Sequence, residues 1–353
     1  MNSLRRISPY IPGEQPTGEG LIKLNTNENA YPPSPNIIKK MAQFDYTDLR
    51  HYSSLDNQEL RVAIGQKEGI NPDYISLGNG SDDVLAIAFQ SFFQSDKPVM
   101  FPDITYGFYK IWCDLFRIPY QEVPLSSDFT FDLENLPEKI GGIVLANPNA
   151  PTGLVKTVEE IEALLKKYPE TVIIVDEAYI SFGGKSVIKL VETYPNLYVT
   201  RTFSKDSALA GIRLGYGVGG ERLTSVVKAV KNSYNPYSVN SLTEAVGLEA
   251  VLDESYYKDT LKKIIDTREW FTGELSKLGF TTIESSTNFV FTKHKTKQAK
   301  DIQDYLKGKN IYVRYFSDNP RIKQYLRISI GTQEEMESVI KVLKEYMNEK
   351  SGG

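Results

Sequence analysis

Short runs of continuously apolar residues alternate with amphipathic stretches along the first two-thirds of the chain. "KPVMFP" (97–102), "IGGIVLANP" (140–148), "TVIIVDEAY" (171–179) and "NLYVTRTFS" (196–204) are such runs, the pattern of strands covered on both faces. "DNQELRVAIGQKEG" (56–69), "SDDVLAIAFQSFF" (81–93), "YGFYKIWCDLFR" (106–117) and "TVEEIEALLKKY" (157–168) have the spacing of helices that bury one face. "DYISLGNGS" (73–81) reads as a strand entering a turn, and "PYQEVPL" (119–125) as a further strand. Ser34 or Pro35 opens a helix after "YPPSP", and Ser81 is expected to cap another, with Asp82 and Asp83 in its first turn. Strands alternating with helices predict an α/β unit around a mostly parallel central sheet.

The texture changes near residue 240. A long helical region (243–279) is followed by the short strands "TNFVFT" (287–292), "IYVRYF" (311–316) and "YLRISIG" (325–331), then an amphipathic helix over about 333–347. That pattern predicts a smaller α+β domain over 241–353, after a large domain over 34–240. Residues 1–33 are rich in Pro, Asn and Gly, with one short strand at Leu21–Leu24, and read as an arm. The terminal "SGG" reads as a disordered end.

Composition narrows the field. Lysine and arginine total 41 against 45 acidic residues, so no basic excess suggests nucleic acid or an anionic membrane surface. No apolar run approaches the about 18 residues of a membrane span, and the N-terminus lacks a signal-peptide core. A cytoplasmic location is expected. Cys113 is the single cysteine, which excludes an internal disulfide and suits a reducing compartment; its helical context marks a buried structural thiol. Two histidines do not make a histidine-rich metal site: His294 reads as solvated surface, and His51 lies beside Tyr52. No metal is expected.

Four segments fall at the C-terminal ends of expected strands, where open α/β sheets collect ligands: "GNGSDD" (78–83), "NPNAPTG" (147–153), "DEAY" (176–179) and "TFSKDSALAGIR" (202–213). Any single lysine is most simply a surface residue, but Lys205 sits among small residues after a β run. Asp176 ends an apolar strand, where a buried carboxylate needs a cation or a protonated ring nitrogen. Tyr179 adds a phenol, Asn147 a carboxamide and Arg213 a fixed cation for a phosphate. Together they are the groups a pyridoxal 5'-phosphate site requires.

With these motifs in order over nearly its whole length, the chain resembles the histidinol-phosphate aminotransferase family of fold-type I pyridoxal-phosphate enzymes. "LNTNENAYPPSP" (24–35), "HYSSLDNQELR" (51–61), "NPNAPTG", "VDEAY", "RTFSKDSALAGIRLGY" (201–216) and "LRISIGT" (326–332) carry the resemblance. It implies that Lys205 holds the cofactor as a Schiff base and shuttles a proton. Asp176 would keep the pyridine nitrogen protonated, Tyr179 and Asn147 would bond the ring oxygen, and Tyr106 would stack on the ring. Backbone N–H groups of Gly80, Ser81 and Asp82 would hold the phosphate, with the carboxylates of Asp82 and Asp83 facing away. Thr202, Ser204 and Arg213 would complete that cup, and Tyr52 would reach the neighbouring subunit's site in a homodimer. Arg327 and Arg314 would bind the anionic end of the substrate. Asn27 and Asn288 are pocket candidates, with a turn role as the alternative.

The implied reaction is ping-pong transfer of an amino group from L-histidinol phosphate to 2-oxoglutarate, a 2-oxo acid, in histidine biosynthesis. An aromatic amino acid aminotransferase and an O-phosphothreonine decarboxylase-like enzyme would use the same cofactor residues. Ala150, Asp206 and Ser207 depart from the family's usual residues and are expected to adjoin the substrate side. A nicotinamide dehydrogenase is suggested only by Gly215, Gly217 and Gly220, which lie within a strand-like piece rather than after one. A non-catalytic relative would tend to lose the lysine or the carboxylate, and both are present.

Overall fold

The computed structural model describes residues 4, 5, 7, 9 and 13–349. Ile22–Leu24 (β1) is set apart from the sheet that follows it in the chain. Ile75–Gly78 (β2), Val99–Pro102 (β3), Tyr120–Val123 (β4), Gly142–Ala146 (β5), Ile173–Asp176 (β6), Leu197–Thr202 (β7) and Gly215–Gly219 (β8) form one sheet in the order β2-β8-β7-β6-β5-β3-β4. Its pairings are parallel except those of β8, which runs against both neighbours. β5 and β6 are buried along their whole length because helices cover both faces, which is why the sequence shows no alternation there.

Phe280–Ile283 (β9), Phe289–His294 (β10), Ile311–Tyr315 (β11) and Leu326–Ser329 (β12) join β1 in a second sheet, ordered β1-β11-β12-β10-β9. β1 pairs in parallel with β11, so the arm is stitched to the second sheet. The helix Glu254–Lys277 links the two cores: Tyr257 packs in the first, whereas Ile264, Phe271 and Leu275 pack in the second.

Several local expectations change. The helix Ser81–Phe92 is capped by Gly80, not Ser81, which is its first residue. Helix Ser241–Leu252 lies beyond the expected division at 240, yet it packs on helices Pro35–Ala42 and Gln58–Glu68, with Val246, Ala250 and Val251 in the first core. Helices Glu221–Tyr234 and Ala299–Gly308 and the strand β9 were not marked by the pattern. Both helices lack a side-chain cap, and β9 is a four-residue edge strand, so local signals are weak. His294 is half-buried rather than solvated. Its Nδ1 accepts the N–H of Lys297 at 2.9 Å and Nε2 lies 3.0 Å from the Leu278 carbonyl, so it braces the turns beside β9. Cys113 is buried, and burial pushes its thiol up to about 12. The terminal "SGG" lies outside the described residues.

Candidate active site

β6 delivers Asp176 to the end of the first sheet, where it is only 5% exposed. Its Oδ1 accepts from the Ala178 N–H (3.2 Å) and the Thr200 hydroxyl (3.3 Å), and its Oδ2 from the Tyr109 hydroxyl (2.9 Å). Burial outweighs these donors and raises the carboxyl to about 6, because the charged form is poorly solvated there. Such a group accepts a positive partner readily. In protein stripped of any ligand it should weaken the fold as the pH rises from about 4 to about 6.

Lys205 follows β7, and its Nζ donates to the Thr26 carbonyl at 3.3 Å. The same amine lies 5.9 Å from the centre of the Tyr179 ring. Three consecutive arm residues thereby meet three candidate groups. Asn25 O accepts from Arg327 Nη2 (3.0 Å), Thr26 O from Lys205, and Asn27 Nδ2 donates to the Tyr179 hydroxyl (2.9 Å). Asn27 is at φ 56°, a backbone that asparagine tolerates better than most residues. Asn288 Nδ2 donates to Asn27 O at 3.0 Å and so holds the arm itself. The arm is the piece that ties the second sheet to the first at this point.

A second cluster lies at the start of helix Ser81–Phe92. Gly80 has φ 90°, and a Cβ there would stand 2.6 Å from Arg213 Nη2. Its N–H is already donated to Gly78 O at 2.8 Å, so of the three expected amides those of Ser81 and Asp82 keep the orphan position of a helix start. The Asp82 carboxylate does not face away as expected. It accepts from the Tyr106 hydroxyl (2.8 Å) and from Arg213 Nη2 (3.3 Å), because both donors converge on this helix end. Asp83 turns back and accepts the Asn79 N–H at 2.9 Å. Thr202 and Ser204 are buried beside it, the Ser204 N–H donating to Thr202 Oγ1 at 3.1 Å.

Gly215 sits directly under this turn: a Cβ would lie 2.4 Å from the Ser81 nitrogen and 2.7 Å from the Gly80 carbonyl carbon. Neither backbone atom can yield. Gly215→Ala is therefore expected to cost roughly 1–3 kcal/mol by overpacking, read as a lower denaturation midpoint together with weaker phosphate-ester binding. Gly217 has the same role against the Tyr198 hydroxyl, 2.0 Å from its virtual Cβ. Close packing thus accounts for Gly215 and Gly217 of the G-x-G-x-x-G match, whereas Gly220 caps the helix Glu221–Tyr234 with only the Val191 carbonyl, at 3.7 Å, near a virtual Cβ. The strand of Gly215 and Gly217 is antiparallel to both neighbours, unlike the dinucleotide-binding unit.

Asn147 Oδ1 accepts the Lys156 N–H (2.7 Å) and its Nδ2 donates to Lys156 O (3.1 Å), leaving one amide hydrogen for another acceptor. Arg314 and Arg327 are directly opposed across β11 and β12, and both guanidinium groups lie over Phe316, at 5.6 and 5.9 Å. Like charges on one face favour a bound anion. Tyr52 is 83% exposed and stacked on Tyr237 at 4.6 Å, so within this chain it does not join the cluster. Asp206 accepts from the Ser181 and Ser207 hydroxyls at 2.6 and 2.9 Å. It lines a cavity of about 150 Å³ with Glu68, Arg201 and Tyr216, rather than turning toward Asp176. Ser207 lines the same cavity, and Ala150 is buried in the turn. Among the described residues no group of three or more His, Cys, Asp or Glu is placed to hold a metal, and no helix is long and apolar enough to cross a membrane.

Sequence reasoning missed Tyr109, Thr200, Asn25 and Thr26. Tyr109 reads as one more apolar-face residue of "YGFYKIW", and no local signal shows that its hydroxyl meets a strand end 67 residues away. The arm residues were visible as a motif, but only the fold brings their carbonyls to Lys205 and Arg327. The buried atoms Asn25 Oδ1 and Asn288 Oδ1 have no hydrogen-bond partner here, which suits a pocket that a polar ligand completes.

The class I and II aminotransferase family model matches residues 19–343. The chain is 45% identical over 349 residues to a histidinol-phosphate aminotransferase of Lactococcus lactis subsp. cremoris (strain SK11), covering 99% of this chain and 98% of that one. It is 41% identical over 347 residues to the enzyme of that name from Clostridium botulinum (strain Hall), covering 98% of each. The crystal structure of the histidinol-phosphate aminotransferase from Clostridium acetobutylicum superposes with TM-score 0.86 at 23% identity, over 93% of this chain and all of that one, a likeness of fold. The Sinorhizobium meliloti enzyme, solved in complex with pyridoxal-5'-phosphate, superposes with TM-score 0.82 at 25% identity, over 93% and 91%.

A buried strand-end carboxylate, an amine near a phenol, and an arginine at a helix start fit pyridoxal phosphate, and with this fold they define a pyridoxal-phosphate-dependent aminotransferase. Within that class the chain belongs to the histidinol-phosphate aminotransferase family.

Proposed function

We propose that the enzyme transfers the amino group of L-histidinol phosphate to 2-oxoglutarate, giving imidazole acetol phosphate and L-glutamate, as a step of histidine biosynthesis. Full-length identity of 41–45% to relatives bearing that name carries the substrate assignment. The convergence of Lys205, Tyr179 and Arg327 on arm residues 25–27 supports the chemistry.

When bound, pyridoxal phosphate supplies a conjugated electron sink beside the substrate Cα. The chain's groups do the rest. Lys205 Nζ would take the proton from the substrate Cα as general base and give it up, as general acid, on the cofactor side rather than back to Cα. Asp176 holds the proton on the ring nitrogen. Tyr179 accepts from Asn27 and so keeps its own hydrogen, which it would donate to the ring oxygen, and the second amide hydrogen of Asn147 would serve the same oxygen. Tyr106 covers one ring face. Ser81 and Asp82 amides, Thr202, Ser204 and Arg213 would hold the phosphate, with Arg213 exchanging the Asp82 carboxylate for it.

The opposed Arg314 and Arg327 bind the substrate's anionic end. Arg327→Ala should raise KM for both substrates roughly 10- to 100-fold, the range for losing a hydrogen bond to a charged group, with a smaller change in kcat. Steady-state kinetics with each substrate varied will check it.

The exposed Tyr52, with Tyr46, Leu49 and Leu55 exposed nearby, supports a homodimer in which Tyr52 completes the partner's phosphate site. Mixing separately inactive Lys205→Ala and Tyr52→Ala proteins should then restore about one quarter of the active sites, since each mixed dimer contains one intact site. No recovery after subunit exchange would refute the shared site. The single cysteine suits a cytoplasmic enzyme.

A half-reaction screen tests the substrate. The yellow enzyme is mixed with histidinol phosphate, phenylalanine, tyrosine or phosphothreonine while the absorbance of its cofactor is followed. Fastest conversion by histidinol phosphate is expected. Faster conversion by an unphosphorylated aromatic amino acid would overturn the substrate and leave the aminotransferase class intact; carbon dioxide release from phosphothreonine would favour a decarboxylase.

A further inference from the structure

Asp176 receives two of its three hydrogen bonds from nearby backbone or the adjoining strand: the Ala178 N–H and the Thr200 hydroxyl both serve Oδ1. Oδ2 is served by Tyr109, which comes from the helix Phe108–Phe116 on a different part of the sheet. Tyr109 is fully buried. Its ring lies among Phe89, Phe101, Tyr106 and Trp112, with centroids between 5.7 and 6.3 Å away. Packed on these sides, the ring has little room to turn, and the hydroxyl has no solvent to bond. Tyr106, whose ring meets Tyr109 edge to face at 82°, is the residue assigned to the cofactor's face. One side chain therefore touches both the ring-face residue and the ring-nitrogen carboxylate.

We infer that Tyr109 is a positioning residue for the ring-nitrogen end of the cofactor, fixing the second oxygen of Asp176 as an ionised acceptor while its ring seats Tyr106. The inference rests on the reading above, in which Asp176 faces the ring nitrogen. Its physical basis is the buried setting. A carboxylate that loses a fixed donor there becomes easier to protonate, and a protonated carboxyl cannot hold a protonated nitrogen.

The test compares wild type, Tyr109→Phe and Asp176→Asn after removal of cofactor, with affinity measured by equilibrium dialysis from pH 5 to 9. Tyr109→Phe keeps the ring and its packing, and near-ultraviolet circular dichroism checks that it does. Pyridoxal phosphate should bind Tyr109→Phe roughly 10-fold or more weakly near pH 7. The pH below which affinity is lost should also move upward. With a cofactor analogue carrying CH in place of the ring nitrogen, wild type and Tyr109→Phe should bind alike. Equal affinity and pH dependence for pyridoxal phosphate would overturn the inference, as would a deficit that persists with the analogue. If Asp176→Asn binds pyridoxal phosphate as well as wild type does, the underlying reading of Asp176 falls instead, and the two failures are distinct. Should Tyr109→Phe misfold, the carboxyl stretch of Asp176 in wild type, followed by isotope-edited infrared spectroscopy, supplies the second measurement. A band marking a hydrogen-bonded carboxylate at pH 7 supports the inference, and a protonated carboxyl at that pH overturns it.

Discussion

Lys205→Ala is expected to remove the yellow absorption of the bound cofactor and to lower kcat by about 10⁴-fold or more, beyond the range of a lost general base alone. Two functions should vanish together: the proposed covalent attachment and the amine that lies between the arm and Tyr179. The loop itself should survive. The Lys205 carbonyl, not its side chain, accepts from Asn29 Nδ2 at 2.7 Å, and the Ser181–Asp206 bond at 2.6 Å is untouched. Pyridoxal phosphate should therefore still bind, non-covalently, and a melting curve should show a folded protein. A variant that stays yellow and active would assign the wrong lysine.

The second large effect is expected at Asp176. Asp176→Asn should reduce kcat roughly 10²- to 10³-fold, the range for losing one preorganised electrostatic contact, while keeping the Thr200 and Ala178 contacts to an amide oxygen. Its effect on stability has the opposite sign. The folded carboxyl titrates at about 6, raised by burial, above its usual value of 3.8. Between those pH values the folded chain holds a proton that the unfolded chain has released, so stability falls as the pH rises through the window. The loss is on the order of 3 kcal/mol and is complete above about pH 6. In the cofactor-stripped state Asp176→Asn should lack this decline and melt higher than wild type at pH 7.5. A wild type whose melting temperature matches that of Asp176→Asn from pH 4.5 to 7.5 would contradict a buried, strained carboxylate. The pair of results would show a group kept for its chemistry against its cost to the fold.

Much of the candidate site is legible in the sequence. Asp176, Asn147 and Thr202 end strands or follow them, and strand ends can be read from apolar runs. Lys205 and Arg213 stand in a loop of small residues after β7, a local feature as well. What misled was orientation. Whether the Asp82 carboxylate faces away depends on the donors that arrive from Tyr106 and Arg213, 24 and 131 residues distant. His294 looks solvated among lysines, yet the Leu278 carbonyl and a neighbouring turn claim both its nitrogens. Asp206 and Ser207 follow the lysine directly, but the turn after β7 sends them to the cavity with Glu68 and Arg201. The division at 240 followed a change of texture, whereas helix Ser241–Leu252 obeys the apolar face it presents to the first core.

The periodicities, and with them the buried parallel strands, the helices that cover them and the set of chemical groups at the strand ends, are written along the chain. These follow from local spacing and from the burial that apolar runs demand. Tertiary structure alone decided which groups meet. Arm residues 25–27 reach Lys205, Tyr179 and Arg327 because β1 pairs with β11, a contact between residues almost 300 positions apart. Tyr109 reaches Asp176 because β3, β5 and β6 bring its helix over the strand end. Hydrogen bonds and ion pairs act over about 3 Å, and no pattern along a chain encodes a distance of that kind between residues so far apart.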